Sequence, residues 1–371
     1  MADLNVNSIG DASGGNTATI NGYTPTVSNM AGRNRIINGD MRIDQRNAGA
    51  SVSTTTTGNS VYTVDRWAYI VSQASKFTVQ QNAGSVTPPV GFTNYLGITS
   101  TSAYSLTSTD YFGVYQPIEG FNTADLGWGT ANAKTITVSF WVRSSLTGTF
   151  GASIRNGSFD RSYPFSYTIE SANTWEQKSV TIAGDTTGTW STTNDKSILL
   201  MFALGYGATY SRTSGAWVDG NYGGTTGATS VVGTSGATFY ITGVQLEAGS
   251  VATPFEHRMY GQELALCQRY YQISENFIGS AGNTTSFTGN INFIVTMRGS
   301  PTVAQTAVLA ITDVANADFT QSSGNISITA GTRVTSNAVS ITAGNFTGLT
   351  TNRPLISIPS TTGKVALSAE L

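Results

Sequence analysis

The sequence predicts an all-β protein: an N-terminal extended arm (1–32), a sandwich or jelly roll (33–254), one short connecting helix (255–275) and a small C-terminal β-domain (276–371). Three observations predict it. Short runs of β-branched and aromatic residues recur along most of the chain, separated by turn-forming Gly, Asn and Ser. Only the stretch around Tyr260–Tyr271 has helical spacing, with strands on both sides of it. Only 11% of residues are charged, against a usual value of about a quarter, while the chain carries 41 glycines. With a net charge of −2 and 10% aromatic residues, such a chain can still bury a core.

The arm, 1–32, is polar and rich in Gly, Asn and Thr, with a hairpin-turn signal at Asn21-Gly22. It has too little apolar mass to form a core alone. Two readings stand: a flexible arm, or an attachment segment that orders on a partner. Met1–Val6 lacks the charged and apolar regions of a signal peptide, and none is expected.

The main β-domain has candidate strands at Arg35–Ile43, Arg66–Ser72, Tyr95–Ser100, Gly113–Ile118, Thr135–Arg143, Thr149–Arg155, Phe165–Ile169, Glu176–Ile182, Ile198–Leu204 and Thr238–Leu246. In Thr135–Arg143, Ile136, Val138, Phe140 and Val142 alternate with Thr137, Ser139 and Trp141, which predicts one face in the core and a Trp on the other. Ile198–Leu204 is continuously apolar and reads as a central strand covered on both faces. Asp65-Arg66-Trp67 reads as a buried Trp beside an Asp–Arg pair fastening a strand start. Gln116 and Glu119 are expected to satisfy backbone groups at a strand end.

Gly205–Gly236 is a long Gly-rich loop carrying Tyr206, Tyr210, Arg212, Trp217, Asp219, Asn221 and Tyr222, which Trp190 could join. Aromatic faces cover the C–H face of a sugar while amide, carboxylate and guanidinium groups satisfy its hydroxyls. The alternative is that these aromatics staple the loop to its own sheet. Long loops inside compact domains are commonly functional.

Next comes the helix. Thr253 is expected as its N-cap and Pro254 in its first turn. Tyr260, Leu264, Cys267 and Tyr271 share one face at helical spacing. Cys267, the single cysteine, is expected as a buried small hydrophobe, and no intrachain disulfide can form. His257, the single histidine, is expected at the helix start. The C-terminal domain has candidate strands at Ile291–Met297, Thr302–Ile311, Asn325–Thr329, Ala338–Thr342, Leu355–Ile358 and Val365–Leu367. Its small side chains make a thin core that subunit contacts would support.

Composition narrows the function. With 19 Lys and Arg against 21 acids there is no basic footprint for nucleic acid, and no apolar run approaches the roughly 20 residues of a membrane-spanning helix. One histidine limits His-based triads and metal sites to one member. No phosphate loop, Cys cluster or EF-hand is present, so no cofactor is expected. Ca²⁺ in a loop would suit such a module, but no ligand spacing supports it. Asp160, Glu170, Asp185, Asp195 and Asp219 leave a glycan hydrolase open, since paired carboxylates need only the right separation in space.

Gln245-Leu246-Glu247-x-Gly249-x-x-Ala252-Thr253-Pro254-Phe255-Glu256, with Leu266-Cys267-Gln268-Arg269-Tyr270-Tyr271, resembles a widespread family of phage tail-fibre and virion-surface proteins. Asn34–Met41, Asp65-Arg66-Trp67, Gln116–Gly120, Val138–Arg143, Asp185–Trp190 and Met297–Thr302 are similar to its pattern in the same order. The resemblance implies a jelly-roll domain like carbohydrate-binding modules, in a homotrimer on the virion that is assembled in the bacterial cytoplasm. Residues 1–32 would attach to other virion proteins, and the ligand would be host cell-surface polysaccharide, bound without catalysis. A structural virion protein without glycan binding (a head fibre, decoration or tail adaptor) is the rival reading.

Overall fold

The computed structural model describes residues 32–371 except 59, 314, 316, 329–333 and 359–362. Apart from Gly32, the expected arm lies outside the described residues. The chain divides into two compact units. The first takes the residues through Arg42, with Gly49–Thr63 and Trp67–His257. The second takes Ile43–Ala48, Val64–Arg66 and Arg258–Leu371. The helix is therefore part of the second unit, in place of a separate connector over 255–275, and that unit recruits two segments from early in the chain.

The first unit is a β-sandwich. Its strands are β1 (Val52–Ser53), β2 (Val61–Tyr62), β3 (Ala68–Val71), β4 (Phe77–Gln81), β5 (Leu96–Ser100), β6 (Tyr111–Glu119), β7 (Ile136–Ser144), β8 (Gly148–Asn156), β9 (Arg161–Ile169), β10 (Glu176–Ile182), β11 (Lys196–Tyr206), β12 (Ser211–Arg212), β13 (Val218–Asp219), β14 (Gly224–Thr225) and β15 (Thr238–Ala248). A six-stranded sheet has the order β1-β4-β5-β15-β7-β10, and a seven-stranded sheet the order β13-β9-β8-β11-β6-β3-β2. Pairing within both is antiparallel.

Alternation decides which side chains meet between the sheets. From the six-stranded sheet come Phe140 and Phe239. From the seven-stranded sheet come Phe150, Tyr167 and Phe202. Phe140 meets Phe202 edge-on at 5.0 Å and Tyr167 at 5.0 Å, and Phe150 stacks on Phe239 at 6.0 Å. All but Tyr167 are fully buried, so this aromatic layer supplies a large share of the apolar burial. Ile198–Leu204 is central, between β8 and β6, and buried throughout. The off-core face of β7 departs from the simple reading. Trp141 is half-buried, but Thr137 and Ser139 are buried too. The Thr137 hydroxyl donates to the Gly249 carbonyl at 2.9 Å, which places the β15 turn over that face.

Arg35–Ile43 is not a strand. Asn38 and Met41 have φ of 56° and 59°, the left-handed region that breaks an extended run. The segment is instead fastened by side chains. The buried Gln116 amide accepts from Ile37 N and donates to Ile37 O, both at 2.8 Å, as a strand partner would. The buried Trp67 indole donates to Asn38 O at 3.1 Å.

The Gln245–Glu256 motif has a structural meaning. Glu247 accepts from Gln245 Nε2 (2.8 Å), Thr253 N (2.9 Å) and Thr253 Oγ1 (2.6 Å). Glu256 accepts from Asn34 N at 2.8 Å, while Asn34 Oδ1 accepts from Leu246 N at 3.1 Å. The motif locks its own turn and ties it to the chain near residue 34. Thr253 is committed here, so it does not cap a helix.

The second unit holds α1 (Tyr260–Gln268), β16 (Tyr271–Ser274), β17 (Ile278–Ala281), β18 (Phe287–Asn292), β19 (Thr302–Gln305), β20 (Ala310–Asp313), β21 (Asp318–Thr320), β22 (Ile326–Ile328), β23 (Ala338–Ala343), β24 (Pro354–Ser357) and β25 (Val365–Ser368). A three-stranded sheet, β16-β25-β19, accompanies a seven-stranded one, β21-β20-β24-β17-β18-β23-β22. Phe277, Phe287, Ile291, Met297, Leu309, Ile311, Phe346 and Leu355 are among its core residues. The predicted strand Thr302–Ile311 is split in two, and Thr329 of the predicted Asn325–Thr329 lies outside the described residues.

The helix starts later than Pro254, with Met259 in extended conformation before it and no side-chain cap. Its buried face is Glu263, Cys267 and Gln268; Tyr260 is exposed and Tyr271 belongs to β16. Burial raises the Cys267 thiol well above its ordinary range, consistent with an inert packed group. His257 precedes the helix, exposed, against Phe92 and Phe255. No helix among the described residues is long and apolar enough to cross a membrane.

Candidate functional site

The Gly205–Gly236 loop folds over the outer face of the seven-stranded sheet of the first unit. Gly151 of β8 makes the approach possible, since a Cβ there would meet Thr225 of the loop at 2.6 Å. Beneath the loop the face is apolar, with Ala68, Tyr115, Leu199 and Met201 buried and Tyr62, Ile70, Phe159 and Tyr206 packed around them.

A half-open cleft of about 160 Å³ lies here, lined by Ile70, Tyr111, Arg155, Phe159, Tyr206, Tyr210 and Asn221. Strand register builds its walls. Tyr206 at the end of β11 pairs with Tyr111 at the start of β6. The chain then turns through Ala208–Tyr210, held by Tyr210 N to Gly207 O at 3.1 Å, which sets Tyr210 edge-on to Tyr111 at 5.5 Å. Gly223 and Gly224 lie flat against Tyr206, where added Cβ atoms would meet its ring at 2.3 and 2.8 Å. Burial pushes the Tyr206 hydroxyl up to about 12, opposed by the Arg155 charge, so it remains a neutral donor at physiological pH.

Arg155, on β8, forms the floor and is 6% exposed. Phase along the strand puts it there: Phe150, Ala152 and Ile154 face the core, so Arg155 faces out under the loop. Its Nη1 donates to Asn221 Oδ1 at 2.6 Å. Burial draws its pKa down. Phe159 projects from the β8–β9 turn at φ 61°, a conformation bulky residues rarely adopt. The fully buried Asn156 enforces it, accepting from Asp160 N and Arg161 N at 3.1 Å each. Lys196 Nζ lies 4.6 Å from the Phe159 centroid and the Arg155 guanidinium carbon 5.1 Å from it.

The eight residues expected to form a sugar site are divided by the structure. Tyr206, Tyr210 and Asn221 line the cleft. Arg212 and Tyr222 pair with each other, Nη2 to hydroxyl at 2.8 Å, with the guanidinium over the ring. Trp190 and Trp217 belong to a separate knot with Trp128, all three rings edge-to-face at 4.7 to 5.5 Å. Every indole N–H there is used internally: Trp128 to Lys134 O, Trp217 to Ala183 O, both at 2.8 Å, and Trp190 to Asp185 at 3.1 Å. Asp185 also grips Arg161, whose other arm reaches Asp219 at 2.8 Å; Asp219 is otherwise exposed. Trp217 therefore fastens loop to sheet.

Sequence reasoning missed Arg155, Tyr111, Phe159 and Ile70. The strand alternation of Thr149–Arg155 was a usable signal for Arg155. The others come together only through sheet order and the Asn156 turn. Among the described residues no group of three or more His, Cys, Asp or Glu could hold a metal ion.

No protein-family profile and no curated protein matches the sequence. Among solved structures, the chain is similar to a family 11 carbohydrate-binding module from Clostridium thermocellum in complex with a β-1,3-1,4-mixed-linked tetrasaccharide (14% identity, 55% of this chain and 97% of that one, TM-score 0.27). It is also similar to TmCBM61 in complex with β-1,4-galactotriose (10%, 49% and 88%, 0.26). A third is the enzymatically active domain of bacteriophage CBA120 tailspike protein 4 (13%, 50% and 19%, 0.29). The chain thus spans 19% of the tailspike's length.

Proposed function

We propose that the protein is a receptor-binding adhesin of a phage particle, a tail fibre or fibre tip, which holds a host surface glycan in the cleft of the first unit without covalent chemistry. The cleft carries this reading: three half-buried tyrosine rings, a guanidinium and an amide converge on one concavity of about 160 Å³. Apolar ring faces beside a few fixed donors are what a saccharide requires. The lining contains no carboxylate, which favours binding over hydrolysis. The ordered motif resemblance supports the phage setting, a homotrimer, and attachment through residues 1–32.

A shallow sugar site of this size gives a Kd of about 1 mM. Several copies on one particle raise the avidity by a factor on the order of 10²–10⁴. Weak single contacts let a particle sample a surface before it commits.

The test is binding of the full chain, sized by light scattering, to an array of bacterial surface oligosaccharides, with Tyr210→Ala and Trp217→Ala beside it. Tyr210→Ala is expected to lose binding at least tenfold. Trp217→Ala is expected to cost about 2–4 kcal/mol of stability and to bind normally while folded. Binding to no saccharide would favour a structural virion protein whose loop faces a protein neighbour, and shortened oligosaccharides in the mixture would favour an enzyme.

A further inference from the structure

The floor of the cleft holds a positive charge with no counter-charge. Among the described residues the Arg155 guanidinium has one hydrogen-bond acceptor, Asn221 Oδ1, and its Nε is buried without a partner. The ionisable groups that act on it are the hydroxyls of Tyr206 and Tyr115 and the cation of Lys196; none is a carboxylate. Lys196 forms no ion pair among the described residues, and the one acid acting on it is its exposed neighbour Asp195. Two cations thus lie against the Phe159 ring, Arg155 from the cleft lining and Lys196 from a separate concavity beside Asp195.

Arg161 of the same unit is matched by Asp185 and Asp219 and Arg35 by Asp125, while Arg143 and Arg212, which also lack a carboxylate partner among the described residues, are not buried. A buried charge without a partner is costly, and chains this poor in charge have little reason to keep one. The neighbouring Asn221 is informative. Its amide occupies the place where a carboxylate would neutralise the guanidinium, and it takes only Nη1. That leaves Nη2, with the buried Nε behind it, to pair with an oxygen of an incoming carboxylate or phosphate.

We propose, on the glycan-binding reading above, that the cleft selects an acidic saccharide, its carboxylate or phosphate seated on Arg155, while Tyr111, Tyr206 and Tyr210 take the sugar's C–H face and hydroxyls. A neutral sugar leaves the guanidinium uncompensated. An anionic one completes a charge-assisted pair in a site already stripped of much of its water.

The decisive comparison uses the full chain on an array where each acidic bacterial oligosaccharide stands beside its carboxyl-reduced or dephosphorylated counterpart, which also separates the two anion sources. Acidic members are expected to bind at least tenfold tighter than their neutralised counterparts. The key variant is Asn221→Asp, which places an internal carboxylate on Arg155. It is expected to melt at the same temperature or higher and to lose acidic binding at least tenfold. Arg155→Gln is expected to lose the same preference. Equal binding of acidic and neutralised members, or acidic binding untouched by Asn221→Asp, overturns the inference and leaves glycan binding standing. Binding to no member, acidic or neutral, overturns both.

Discussion

Asp65 shows how one buried carboxyl couples this fold to pH. Burial pushes it up to about 7; the Glu370 charge adds to this, and hydrogen bonds from Gln45 and the Arg46 charge oppose it. An unfolded aspartate titrates near about 3.9. Between about pH 4 and 7 the folded chain therefore holds a proton that the unfolded chain releases, so stability rises as pH falls through that window and is lost as pH climbs back to 7. Asp40 is raised by burial in the same sense. At about 1.4 kcal/mol per pH unit, lowering the pH from 7 to 5.5 is expected to add about 2 kcal/mol through Asp65. Denaturant titrations at the two pH values check this, and Asp65→Asn should flatten most of the difference. A wild-type curve that falls over the same interval would contradict the assignment. At the same scale, single residues were poorly legible from the sequence. Trp217 and Trp190 have the residue type of sugar platforms, but what decides their role is whether the indole N–H is used up by Ala183 O and Asp185, and that is a matter of folding. Arg155 carries the opposite lesson. Its type said little, and its lack of a carboxylate partner says much.

Elements were more legible than residues. Strands with strong alternation or a continuous apolar run, such as Ile136–Ser144 and Lys196–Tyr206, follow their sequence patterns because packing between two sheets rewards the same periodicity. Arg35–Ile43 has strand composition, but two left-handed residues and the Gln116 amide override it. The helix begins later than the cap chemistry of Thr253 and Pro254 suggests, because Thr253 serves Glu247 instead. Two-residue strands such as β12 and β14 have no periodicity to read, yet they set the cleft. Gly223 and Gly224, at and beside β14, press on Tyr206 with no side chain between. Gly223→Ala is expected to push the Tyr206 ring off its seat. It should weaken saccharide binding severalfold and cost about 1–3 kcal/mol through overpacking. Near-ultraviolet circular dichroism with a binding isotherm would check both; unchanged binding would show that Tyr206 does not shape the site.

For the whole molecule, the sequence showed an all-β chain with a change of character near the helix. It could not show that the second unit draws in Ile43–Ala48 and Val64–Arg66, since nothing local marks a segment that pairs far along the chain. Charge and ring contacts hold those segments. Arg46 and Arg66 both bond the Glu370 carboxylate, and their guanidinium groups lie over Tyr271 and Tyr270 at 3.5 and 3.6 Å. The Glu370 and Arg66 side chains are 7% and 1% exposed. Removing one partner of such a buried pair costs about 3–5 kcal/mol. Glu370→Gln is therefore expected to lower the melting of the second unit, seen by calorimetry as an earlier transition, while saccharide binding by the first unit persists at low temperature. A single unshifted transition would count against this role for the carboxylate.

The same ion cluster imposes a schedule on the growing chain. Arg46 and Arg66 stand 324 and 304 residues ahead of the carboxylate that receives them. At translation rates of about 5–20 residues per second, each arginine is added to the chain roughly 15–65 s before its partner. The last strand of the sandwich, Thr238–Ala248, is also made within that interval, so the first unit can close before Arg46 and Arg66 have their carboxylate. The second unit is complete only once Glu370 has been made, and until then both arginines lack the carboxylate that holds them.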